Sequence, residues 1–129
     1  MNPLNYASLE ASKRLSEVGI VLLFVDKAWI HDKWDDTWVL GVVTPTIEAR
    51  KERWEFYMAP SMAEAWRELP EWRYDKRKTL IGIEGLACAG YTNWESRFTS
   101  GESFTSNNPT DALINLLIWV KKEKADGQK

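Results

Sequence analysis

The 129 residues contain one cysteine and one histidine, and that scarcity excludes several kinds of chemistry. Cys88 has no second thiol for an internal disulfide, which fits a reducing compartment. One cysteine with one histidine cannot supply the ligands of an ordinary structural zinc site. Any histidine-dependent catalysis would have to run through His31. Seventeen basic against nineteen acidic residues give a formal charge of −2, so no overall positive field favours nucleic acid or an anionic membrane. No apolar run approaches the ~20 residues needed to span a bilayer. The opening stretch MNPLNYASLEASKR lacks the basic start and apolar core of a signal peptide. The seven glycines are dispersed, and Gly82, Gly85 and Gly90 are not followed by the helix that a phosphate-cradling loop requires.

Tryptophan, by contrast, is abundant: Trp29, Trp34, Trp38, Trp54, Trp66, Trp72, Trp94 and Trp119. Indoles can line a ligand cleft or anchor an interface. Most of these fall where strand or helix periodicity already calls for an apolar group, so they are expected chiefly as large pieces of a small core.

The most legible stretch is NPTDALINLLIWVKK, residues 108–122. Asn108 suits a helix cap, Pro109 the first helical position, and Asp111 the positive end of the helix dipole. Leu113, Leu116, Leu117 and Val120 form an apolar stripe that Ile114, Ile118 and Trp119 widen. A helix apolar over so much of its circumference needs cover on more than one side. Either the first helix supplies it, or Ile114, Ile118 and Trp119 meet a second subunit; these three are the candidate interface residues.

Residues 5–18 predict a first helix stopped by Gly19, with Ile20 folding back on the last turn. The run IVLLFV at 20–25 predicts a covered strand. Apolar pieces at 28–30 and 37–43, separated by HDKWDD, predict a hairpin with a polar tip. IEARKER after it reads as a solvated loop, and Trp54 to Met58 alternates as a half-buried strand should. Ser61 and Glu64 form a reciprocal capping pair for a helix whose buried side is Met62, Ala65, Trp66 and Leu69, and Pro70 stops it. Strands at 79–84 and 86–94 meet at Gly85. The polar segment 95–107 predicts a turn around Gly101 with Phe98 and Phe104 in flanking strand residues, and the tail from Glu123 a disordered end.

Catalytic chemistry finds no convincing set. Asp32, Asp35 and Asp36 beside His31 lack the spacing and glycine of a calcium loop, and Cys88 in its small-residue strand reads as a buried, inert thiol. No catalytic residue, metal ligand or cofactor is assigned. EWRYDKRK interleaves aromatics with basic groups, an arrangement that can stack on bases and pair with phosphate. Trp66, Arg67, Trp72, Arg73, Tyr74 and Arg77 are therefore the candidate ligand-binding residues, with a small nucleotide as the ligand class. The acidic whole argues against a broad nucleic-acid groove.

Three stretches taken together, ASKRLSEVGI at 11–20, APSMAEAWRELPE at 59–71 and NPTDALINLLIWVKK at 108–122, resemble a broad group of small, uncharacterised proteins encoded by bacteriophages and prophages. The last helix is also similar to that of HicB-type antitoxins, although the helix-first layout departs from that type. The resemblance implies an accessory protein in the cytoplasm of a bacterial host, acting by binding a host or defence protein or by forming a homodimer. It carries no activity and assigns no residue a role. The expected fold is α+β: one domain with a mainly antiparallel sheet of about five or six strands and about three helices, the last largely buried.

Overall fold

A computed structural model describes residues 5–20, 22, 25–73, 76–83, 85–92 and 98–126. The chain runs α1 (Leu9–Glu17), β1 (Ala28–Asp32), β2 (Thr37–Gly41), α2 (Pro45–Ala49), β3 (Trp54–Met58), α3 (Met62–Glu68), β4 (Trp72–Arg73), β5 (Lys76–Ile83), β6 (Leu86–Thr92), β7 (Phe98–Ser106) and α4 (Pro109–Asp126). The class is α+β, as the alternating patterns require. The strands form two antiparallel sheets, one of three strands in the order β2-β1-β3 and one of four in the order β4-β5-β6-β7.

The core lies where α4 packs on β6 and β7, with α1 and α3 closing over it. Leu113, Ile114, Leu116 and Leu117 are all 0% exposed. The small residues of β6 allow this approach, because Ala87 and Ala89 face the helix beside Tyr91. The Tyr91 hydroxyl donates to the Pro70 carbonyl at 2.7 Å, so the one large polar group in the core is satisfied. α1 supplies the second cover that the breadth of α4 demanded, through Ala11 and Leu15, with Ala7 just ahead of its cap.

Helix ends follow local chemistry. Gly19 takes φ +75°, its amide donates to Ser16 and that of Ile20 to Leu15, each at 3.1 Å, the paired bonds of a Schellman stop. Ser61 and Glu64 make both bonds of the capping box. Asn108 Oδ1 accepts from the amides of Thr110 at 2.9 Å and Asp111 at 3.3 Å, while its Nδ2 donates to the Tyr6 carbonyl at 3.1 Å. Asp111 Oδ1 accepts from the Ser8 amide at 2.8 Å. The start of the last helix thus clamps the approach to the first.

Several expectations need correction. α1 runs from Leu9 to Glu17 rather than over 5–18, because Ser8 caps it. Ile20, Leu22 and Val25 lie outside any strand; after the glycine stop, Ile20 and Leu22 pack on the core instead. Thr44 accepts from Ile47 and Pro45 sets the first turn, so the expected loop after β2 opens as the short helix α2. Within 71–78, read as a loop, Trp72 and Arg73 form β4 and residues from Lys76 begin β5, with Trp72 opposite Arg77 and Arg73 opposite Lys76. Phe98 and Phe104 fall in one strand, β7, rather than in two flanking a turn, and Gly101 lies where the register on β6 slips between Phe98 and Ser103. α4 continues past Lys122 to Asp126. Among the described indoles none is fully buried: Trp66 and Trp119 pack against the edge of the core, Trp29, Trp38 and Trp54 are half-buried, and Trp34 is exposed. Alanine, leucine, isoleucine, Val120 and Tyr91 fill the core between α1, α3, α4 and β6.

Candidate functional site

The three-stranded sheet carries a polar and aromatic construction at its hairpin tip. Asp32, at the end of β1, accepts from the Trp34 amide at 3.0 Å, which sets the first bend of the tip. Asp36 closes it at φ +54°, a conformation aspartate tolerates better than most residues. The Lys33 amide then donates to the Arg53 carbonyl at 2.8 Å, joining the tip to the turn that precedes β3.

That junction brings Arg53 onto Asp32. Arg53 Nε donates to Oδ1 at 3.2 Å and Nη2 to Oδ2 at 3.0 Å, a forked pair with a carboxylate that is nearly buried. The Arg53 bonds hold the Asp32 carboxyl below the usual carboxylate range against burial, which works the other way, and the Trp34 amide adds to the lowering. Arg53 is correspondingly raised, first by Asp32. Its guanidinium carbon sits 4.4 Å from the Trp34 ring centre and 4.6 Å from that of Trp54, so one cation serves two indoles and one carboxylate. Arg50 stands 5.6 Å from Trp34. Trp34 nevertheless remains 61% exposed.

On the other face of the same strands, His31 bridges two acids. Nε2 lies 2.8 Å from Asp36 and Nδ1 2.7 Å from Glu55. The ring stacks on Trp38 at 4.4 Å and 10°, and Lys13 of α1 lies over Trp38 and Tyr57. The bond to Asp36 raises the His31 pKa most, burial opposes it, and Glu55 adds to the rise. An imidazolium donating from both nitrogens has no lone pair with which to accept a proton, so this geometry suits a structural bridge rather than a general base.

The ligand-binding candidates are placed differently. Trp66 lines an apolar cleft of about 380 Å³ with Met62, Ala63, Leu80 and Leu113, and the ammonium over its ring, at 4.5 Å, belongs to Lys78. Lys78 is otherwise spent on the carbonyls of Trp66 and Leu69 at the end of α3, and burial lowers its pKa. Arg67 is exposed on α3. Arg77 pairs with Glu71 at 3.4 Å and is the cross-strand partner of Trp72 in backbone register. The side chains of Trp72 and Arg73, and all of Tyr74, lie outside the described residues.

Among the interface candidates, Ile114 is fully buried within the chain. Ile118 and Trp119 line an open groove of about 540 Å³ with Val18 and Phe104, rimmed by Arg14, Glu17 and Lys122. Sequence reasoning missed the tip because its parts come from two segments: Asp32 and Trp34 from one turn, Arg50, Arg53 and Trp54 from another. The signal was present in the alternation of tryptophan with charge in both, but only strand pairing unites them.

Comparison with protein-family models, curated proteins and solved structures finds no match. Fold and site together describe a small α+β domain that presents a held but exposed indole on a hairpin.

Proposed function

We propose that the protein acts by binding another protein, with Trp34 and its arginines as the anchor, in the manner of a phage or prophage accessory protein that engages a host or defence protein. The observation that carries this reading is the combination of exposure and restraint at Trp34: the indole is 61% exposed yet stacked on an Arg53 that Asp32 fixes from two sides. Tryptophan and arginine dominate interface hot spots. A side chain already ordered loses little freedom on binding, which is the usual drain on affinity. The test is quantitative capture from bacterial lysate with wild-type and Trp34→Ala protein, after circular dichroism has established that both fold. A bound protein lost at least tenfold in the variant is expected. Equal capture by the variant, or no specific capture by either, would overturn the reading.

A second reading draws on the pairing of Trp72 with Arg77: a small nucleotide held by stacking and charge, sequestered rather than converted. Thermal-shift measurements across nucleotides should then show stabilisation that Arg77→Ala removes. Absence of any shift eliminates it.

A further inference from the structure

β2 is an edge strand, bonded to β1 on one side, and among the described residues no backbone group pairs with its outer side. Edges of this kind invite another strand, and proteins ordinarily guard them with charge, proline or brevity. Of the other edges, β3 carries Glu55 and β4 is two residues long. From Thr37 to Val43 the sequence TWVLGVV contains no charged residue and no proline. Val39 is 55% and Val42 54% exposed, while Trp38 and Leu40 are half-buried.

We propose that β2 is a self-association edge, along which two copies pair antiparallel about a two-fold axis through Val39 to join two three-stranded sheets into one of six strands. The occupant is a second copy because the strand complements itself. Val39 is the middle residue of Thr37–Gly41, so an axis there pairs the whole strand without overhang. Trp38 then faces Leu40 of the second copy, Thr37 faces Gly41, and the two Val39 side chains, the most exposed apolar groups of the strand, cover each other. No charged residue lies between Thr37 and Val43, and the chain turns off the strand line at Asp36, so two copies meet along this edge without a like-charge contact. Such a two-fold contact is closed, because each copy's β2 edge is taken up by the other's. Partner capture by Trp34 is a separate matter, since the tip lies outside the paired strand.

Native mass spectrometry and sedimentation over a range of concentrations should give twice the 14.9 kDa chain mass. Val39→Lys, a change at an exposed position that places like charges on the axis, should give a monomer with an unchanged circular dichroism spectrum. Under mild oxidation Val39→Cys should cross-link two copies. Val42→Cys should not, because the two Val42 residues would lie about 20 Å apart at roughly 3.3 Å per residue, far beyond disulfide reach. Wild type, holding only the buried Cys88, is the blank. A monomer at all concentrations, a dimer unaffected by Val39→Lys, growth beyond two copies, or cross-linking at position 42 as ready as at 39 would each overturn the proposal. Loss of dimer with retained lysate capture would leave the Trp34 reading standing alone.

Discussion

Asn108→Asp separates two roles that one side chain performs. As helix caps, asparagine and aspartate are near equals, so a residue serving α4 alone should tolerate the exchange. In the structure Oδ1 receives the Thr110 and Asp111 amides, and these bonds an aspartate would keep or strengthen. The Nδ2 bond to the Tyr6 carbonyl it would lose, leaving that carbonyl against a carboxylate at a site where Asn108 is 7% exposed. A buried acceptor stripped of its donor costs about 1–3 kcal/mol, and the nearby Asp111 adds repulsion. Asn108→Asp should therefore destabilise by about 1–3 kcal/mol. Asn108→Ala, which loses the cap as well, worth about 1 kcal/mol, should cost about 2–4 kcal/mol. Urea unfolding followed by far-ultraviolet circular dichroism measures both, provided the denaturant slope is unchanged. An aspartate variant as stable as wild type would refute the clamp and return Asn108 to a simple cap.

Other expectations follow from the same contacts. The His31 bridge contributes stability below the ordinary histidine pKa and loses it as pH rises through the raised folded value. The single imidazole should accordingly titrate high in an NMR pH series, and Glu55→Gln should bring it down; a midpoint at or below the ordinary value would refute the bridge. Leu117→Ala, at a position 0% exposed, should cost about 2–5 kcal/mol in the same urea assay. Gly85→Ala should destabilise by about 1 kcal/mol or more, because φ is +82° there although nothing lies within 4 Å of the added methyl; a neutral result would show that the turn adjusts freely.

Much of the fold was legible because it is written in local chemistry. The Gly19 stop, the Ser61 and Glu64 box, the Gly85 turn and the Asn108 cap are each decided within a few residues, and all occur as expected. The misreadings lie where strand pairing overrode local propensity. Phe98 and Phe104 read as strand residues on either side of a turn at Gly101, but pairing with β6 at both ends makes them one strand with a register slip between. The apolar 20–25 reads as a strand, yet Ile20 and Leu22 serve the core as side chains and find no ladder. The candidate site followed the same division. Trp66 was recognised as a helix-face residue, but its cationic neighbour is Lys78, delivered by β5.

Sequence by itself determined the α+β class, the hairpin around HDKWDD and the broad burial of the helix after Asn108, since capping, periodicity and turn residues act over one or two turns of chain. Tertiary structure decided what those pieces meet. It left the described indoles half-buried, with Trp34 alone exposed, and covered Ile114 with the chain's own helices. It also set Arg53 between Trp34 and Trp54 while Asp32 held its other edge. The physical reason is that a forked ion pair and an indole stack depend on groups about twenty residues apart, and only the hydrogen bonds that align β1 with β3 fix that distance.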